Sequence, residues 1–415
     1  MTDLRQRALD LDADDELATF RDRVVITDPD VRYLDGNSLG RLPVATRDRL
    51  RSFVDEEWGG DLVEGWSRWV DLPVAVGDAL GAALLGVGPG ETVVCDSVTV
   101  NLHKLALAGV RRDPARTVVV TDDDNFPTDR FVLEEVARLA GSEVRVVHTD
   151  IDEGVSVDAV CAALGPDVAL VSLSHTAYRS GALAPVAEID RLAHEAGALT
   201  LWDLSHTAGS VPVDLSTADL AVGCTYKYVN GGPGAPAFLW VRPGLAEELR
   251  NPVPGWFGSA SQFAMDAAYQ PAPGVRRFLT GTPPVSGLVA VEEGVRLLAD
   301  AGLSRLRAKS VALTSYLVEL ADAWLADHGV RVASPRDPAR RGGHVVLEHP
   351  EAWQLAQELR ARKVLPDFRE PDRIRLGPAP LYTRFVDVHD AMAELRDALV
   401  TGSHLRHPAA RATVT

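Results

Sequence analysis

Cysteine is scarce in this chain. Only Cys95, Cys161 and Cys224 occur in 415 residues, widely spaced and each in apolar surroundings. An odd count without C-x-x-C spacing argues against a disulfide framework or a zinc ribbon and reads as buried free thiols in a reducing compartment. Long apolar runs are also missing. None approaches the roughly 18 residues of a spanning helix, and the opening M-T-D-L-R-Q-R-A-L-D lacks the continuous apolar core of a signal peptide. The expectation is a cytoplasmic protein with no membrane partner. Positive charge is in deficit, with 42 Lys and Arg against 59 Asp and Glu and a net charge of −17. That balance disfavours nucleic acid as a main partner, while leaving room for a local basic pocket.

Several expected motifs are absent as well. There is no H-E-x-x-H, and His194-Glu195 has no second histidine at helical spacing, so no metal is expected. Gly86-Val87-Gly88-Pro89-Gly90 lacks the G-x-G-x-x-G pattern and follows a helical stretch, so it reads as a turn. Asp122-Asp123-Asp124 lacks calcium-loop spacing and reads as a solvated strand end. No internal repeat is visible.

What is present is an ordinary globular composition, 46% hydrophobic and 24% charged, long enough for two or three domains. From 117 to 241, β-rich runs alternate with helical patterns. The runs are Thr117–Thr121, Val144–His148, Val168–Ser172, Leu199–Trp202, Leu220–Cys224 and Ala237–Val241, after an earlier one at Thr92–Cys95. Such alternation predicts an α/β fold with a mainly parallel sheet covered by helices. Two helices split near Gly302 follow, and then a smaller α+β domain with strands at His344–Leu347 and Arg373–Leu376. The domain expectation is an arm and loop over 1–45, a large domain over 46–285, a small domain over 286–402 and a flexible tail over 403–415.

The chemistry concentrates between Thr200 and Gly234. Two apolar runs there are each followed directly by polar groups, Asp203 and His206 after the first, Tyr226 and Lys227 after the second. Side chains at the carboxyl ends of parallel strands converge on one crevice. A lysine after a strand is ordinarily solvated. Here the preceding run is too apolar for an edge strand, Tyr226 and Tyr228 flank the amine, and N-G-G-P-G lets backbone approach closely. A desolvated lysine has a lowered pKa and is suited to imine formation. Asp203 is open to two readings, a helix cap or a carboxylate that keeps a pyridine nitrogen protonated. Together these are the parts of a pyridoxal phosphate site. Ser97 or Thr99 can cap a helix whose free N–H groups suit a phosphate.

The stretches D-L-S-H-T-A-G (203–209) and T-Y-K-Y-V-N-G-G-P-G (225–234) resemble the kynureninase family. So, in order, do Y-L-D-G-N-S-L-G (33–40), V-T-V-N-L-H (98–103), F-P-T-D (126–129), Y-R-S-G (178–181), G-T-P-P (281–284) and I-R-L-G-P-A-P-L-Y-T-R-F (374–385). The resemblance implies the aspartate aminotransferase fold, fold type I of the pyridoxal phosphate enzymes, with a seven-stranded-type sheet. It also implies hydrolysis of L-kynurenine or 3-hydroxykynurenine to the anthranilate and L-alanine, in a homodimer whose sites are shared across the interface.

Carried onto this chain, Lys227 is the imine-forming base and Tyr226 a phosphate ligand and proton shuttle. Val98, Thr99, Phe126, Thr128, Asp129, Ser174, Asp203 and His206 hold the cofactor, with His206 supporting Asp203. Trp256 and Thr282 reach the neighbouring subunit's phosphate, Arg375 grips the substrate carboxylate, and Ser38 approaches the substrate. One departure is Ser259, where the family usually carries His after the G-W-F-G run. It leaves the ring substituent open, as well as another γ-keto amino acid as substrate. A different fold type I enzyme, such as an aminotransferase, is the alternative. A desulfurase is disfavoured because no cysteine follows Cys224.

Overall fold

A computed structural model describes residues 4–264 and 267–409. Its centre is a seven-stranded sheet in the spatial order 92–94, 238–241, 220–223, 199–203, 168–174, 118–122, 143–147. All strands run parallel except Phe238–Val241, which is antiparallel to both neighbours. The inner strands are apolar along their whole length because helices cover both faces. Successive residues therefore enter opposite cores. Val120, Val171, Trp202, Ala221 and Phe238 pack on one side with Leu80, Leu288 and Val291. Val119, Leu170, Leu201, Val222 and Leu239 pack on the other with Leu102, Leu105 and Leu133.

Local signals set the helices that matter for the site. Ser97 caps the helix Val98–Val110, its Oγ accepting from the Val100 amide at 3.4 Å. Pro127 opens the helix Pro127–Ala140 at its first turn, and Gly141, with φ of 69°, closes it. Gly302, with φ of 81°, separates the helices Val285–Ala301 and Leu303–Trp324.

A second sheet of four antiparallel strands, in the order 367–369, 373–376, 345–348, 331–332, builds a separate core with helices 303–324, 352–361 and 385–401. Ala8 of the amino-terminal helix Leu4–Ala13 and Leu34 join this core. Asp12 accepts from the amides of Phe385 and Val386 at 2.7 and 3.0 Å, fastening the arm to a helix start. Helix 285–301 packs with the larger core through Leu288, Val291, Val295 and Leu298. Among the described residues, no helix is long and apolar enough to cross a membrane.

Three local expectations are corrected. Asp122 and Asp124 are buried rather than solvated, Asp124 pairing with Arg179 and Asp122 accepting from the Asp124 amide. Cys161 is exposed, since it sits on the outer face of a short helix, whereas Cys95 and Cys224 are buried. The expected tail begins with a helical turn, Ser403–Arg406, because His404 is buried and its ring nitrogens contact the Ala398 carbonyl and Glu351. Residues 410–415 of that tail lie outside the described residues.

Candidate active site

The carboxyl ends of strands 118–122, 168–174, 199–203 and 220–223 open onto one cavity of about 170 Å³. Ten of the residues singled out in the sequence line it: Val98, Thr99, Phe126, Thr128, Asp129, Ser174, Asp203, His206, Tyr226 and Lys227. Ser97, Tyr178 and Ser205 also line it. Tyr178 and Ser205 stand inside motifs already noted, but nothing in their local pattern distinguishes them. Tyr178 stands edge-on to Phe126, ring centroids 5.2 Å apart, and steadies that ring over the cavity.

Lys227 is buried, and among the described residues no carboxylate lies within ion-pair distance of its Nζ. Its neighbours are the His206 ring nitrogens, at 3.2 and 3.4 Å, and the faces of Phe126 and Tyr226, 5.9 and 5.8 Å to the centroids. Burial therefore pulls the Lys227 pKa down, and Arg375 and Arg369 pull it further, against the opposing influence of Cys224 and Asp203. Burial holds His206 well below the ordinary histidine range, with the charges of Lys227 and Arg375 adding to the effect. A neutral imidazole can then accept from the ammonium. In this structure His206 contacts the lysine, and Asp203 Oδ1 accepts from the Ser205 amide at 2.5 Å.

The lysine is held by its turn. Asn230, at φ of 59°, reverses the chain, its amide bonding to the Lys227 carbonyl at 3.0 Å. The loop at 33–40 closes over this turn, the Gly40 amide donating to the Tyr226 carbonyl at 2.9 Å.

Asp129 and Asp203 lie side by side at the cavity wall. Burial raises the Asp129 pKa well above the usual carboxylate value, and the neighbouring Asp203 raises it further. Two adjacent carboxylates cannot both ionise cheaply, which is how Asp203 adds to the rise at Asp129. Asp129 Oδ2 is buried without a partner. Two helix starts, at Val98 and Pro127, also face the cavity and present backbone N–H groups with no intrahelical acceptor.

The other four residues stand outside the cavity lining. Arg375 is 1% exposed and paired with Asp367 at 2.6 Å. It donates to Ser38 Oγ at 2.9 Å and stands 3.5 Å from His206 Nε2, so it reaches the site's edge through these two residues. Trp256 and Thr282 are exposed on the surface of the single chain. Ser259 is half-buried and bridges to Pro271. A larger open groove of about 770 Å³ lies at the opposite end of the sheet. Its arginines Arg112, Arg191 and Arg242 are each paired, with Glu248, Glu195 and Asp219, so among the described residues it offers no free arginine.

This arrangement defines a class. The fold matches that of a cysteine desulfurase from Thermococcus onnurineus NA1, solved in its apo form, with a TM-score of 0.80 at 17% identity over 92% of this chain and 98% of that one. It also matches a C-DES variant carrying glycine covalently linked to its PLP cofactor, with a TM-score of 0.79 at 18% identity over 89% and 97%. At those identities the likeness is one of fold: an α/β sheet enzyme architecture of fold type I. Sequence similarity is more specific. A profile of the kynureninase C-terminal domain matches residues 306–395, and the kynureninase of Pseudomonas fluorescens is 42% identical over 405 residues, 95% of each chain. The chain belongs to the kynureninase family.

Proposed function

We propose that this chain is a pyridoxal-phosphate-dependent hydrolase that cleaves the Cβ–Cγ bond of L-kynurenine or 3-hydroxykynurenine, releasing anthranilate or 3-hydroxyanthranilate and L-alanine. The observation that carries the reading, beside family membership, is Lys227. It is a buried amine without a carboxylate partner, in the same cavity as the Asp129–Asp203 pair. The cavity fits the cofactor in three respects. The amine is kept unprotonated more readily than in water, an orphaned carboxyl oxygen on Asp129 awaits a donor, and the helix start at Val98 offers amides to a phosphate.

When bound, pyridoxal phosphate supplies an aldehyde and a ring that accepts electrons from the substrate. Lys227 would hold it through the aldehyde end and would move the proton at the substrate Cα. Asp203, with Asp129 beside it, would keep a proton on the ring nitrogen. Val98, Thr99, Thr128, Ser174 and Phe126, which line the cavity, would hold it there. Tyr226 bonds the phosphate and moves a proton at the γ-carbonyl. Burial raises its pKa, so the phenol stays protonated and is a donor at neutral pH. Arg375 grips the substrate carboxylate, with Ser38 beside it. The active unit is a cytoplasmic homodimer, in which the exposed Trp256 and Thr282 reach the partner's site. The test is to incubate the purified protein and pyridoxal phosphate with kynurenine or 3-hydroxykynurenine and follow aromatic amine release and alanine. Stoichiometric release without an added keto acid is expected, and an absolute requirement for a keto acid would favour an aminotransferase instead.

A further inference from the structure

The two strands Asp367–Arg369 and Arg373–Leu376 alternate strictly. Phe368, Ile374 and Leu376 enter the small core, so Asp367, Arg369, Arg373 and Arg375 share the opposite face. Register places Asp367 directly across from Arg375 and Arg369 across from Arg373. Directly opposed residues have Cβ atoms about 5 Å apart, close enough for a side-chain pair. Arg373 is drawn away by Glu348 and by Asp152, the latter at 3.1 Å. Arg375 is not.

The Arg375 guanidinium is fully enclosed, and its neighbours can be counted off. Nη1 donates to the Tyr178 carbonyl at 2.5 Å and Nη2 to Ser38 Oγ at 2.9 Å. With the Asn37 amide oxygen turned toward it, Nε and Nη2 donate there at 2.7 and 3.1 Å. These acceptors are neutral. The ion-pair partner is Asp367, whose Oδ2 lies 2.6 Å from Arg375 Nη2 and 2.9 Å from Arg369 Nε. Two guanidinium groups thus lie within ion-pair distance of one carboxylate oxygen, and the Asp35 carboxyl is close enough to act on Arg375 as well. The Nη1 edge is the one that looks toward His206, which lines the cavity, with Nε2 3.5 Å away.

We propose that Asp367 is a positioning residue for Arg375: set directly across the strand pair at ion-pair distance, its charge keeps the buried guanidinium seated where a substrate carboxylate would arrive. The inference rests on the reading that Arg375 grips that carboxylate. A buried guanidinium without its counter-charge is costly and finds other rotamers, so loss of Asp367 is felt in substrate binding before it is felt in chemistry.

The test is steady-state kinetics of the holoenzyme with L-kynurenine, together with the visible spectrum and dissociation constant of the bound cofactor. Asp367→Asn is expected to raise KM by about 10-fold or more while kcat changes by less than about 3-fold and the cofactor readouts stay unchanged. Asp367→Glu, which restores the charge, is expected to recover part of the loss. Arg369→Gln, at a part-exposed position, keeps the test available if Asp367→Asn does not fold. It is expected to raise KM by about 3-fold or more through loss of a positive charge beside Arg375. Arg375→Lys is the reference. If it leaves KM unchanged, the assignment of Arg375 itself fails. If it raises KM while Asp367→Asn and Arg369→Gln do not, the positioning role is overturned. A parallel fall in kcat and cofactor affinity on Asp367→Asn would likewise overturn it, as the sign of a general structural role.

Discussion

Lys104 offers a sharp test of how the cofactor-side helix is anchored. Its side chain is 0% exposed, and its Nζ donates to Asp96 Oδ2 at 2.8 Å and to the Phe278 carbonyl at 2.7 Å, with Cys95 Sγ at 3.5 Å. Asp96 also accepts from Thr280 Oγ1 at 3.2 Å and occupies left-handed backbone, φ 47°. The ammonium therefore clamps the 278–280 segment to the turn that launches the helix Val98–Val110. Lys104→Met keeps the stem volume but removes the charge and both donors. Breaking a buried pair from one side costs about 3–5 kcal/mol. The Asp96 side chain is 24% exposed and keeps Thr280, so water recovers part of this, and about 2–4 kcal/mol is expected. Urea unfolding of Lys104→Met, Asp96→Asn and the double variant, at constant cofactor saturation, measures it. The double variant should be less destabilised than the sum of the singles by about 1 kcal/mol or more. A loss below about 0.5 kcal/mol for Lys104→Met, or strict additivity, would refute the clamp.

Two further outcomes follow from the loop at 33–40. A Cβ on Gly40 would overlap Asn230 Oδ1 and the Lys227 carbonyl oxygen and lie 2.8 Å from Asn230 Cα. Gly40→Ala should therefore displace the loop from the lysine turn and lower kcat/KM by about 10-fold or more, since small misplacements near the chemistry are costly; an unchanged kcat/KM would show that the contact is dispensable. Burial, and then the charge of Asp367, push the Asp35 carboxyl up to about 6. The folded state then holds a proton that the unfolded chain releases, so this group's contribution to stability falls as pH rises from about 4 to about 6. Asp35→Asn should match the wild type near pH 4 and exceed it at pH 7 by at most about 3 kcal/mol. A stability difference that does not vary with pH would contradict that assignment.

Much of the fold is written locally. Val-rich runs such as V-V-V-T-D at 118–122 and V-A-L-V-S-L-S at 168–174 cannot be half-solvated, so they become inner parallel strands. Ser97, Pro127 and Gly302 mark helix boundaries by capping, ring geometry and positive φ. Asp203 ends one strand and Lys227 follows the next, and topology obliges such positions to meet at one edge of the sheet. The acidic run at 122–124 misled because local polarity does not reveal burial. Asp124 is taken inside by Arg179, 55 residues away in sequence, and only the fold makes that pairing visible.

The sequence by itself determined the order of strands and helices, and which ends of the strands carry reactive groups, because backbone periodicity and capping are short-range. Only tertiary structure decided who touches whom. His206 came against Lys227, Asp129 came beside Asp203, and Arg375 found Asp367 across a strand pair and Ser38 from a distant loop. Such partnerships are fixed by desolvation and close packing among segments far apart in the chain, and no local pattern records them.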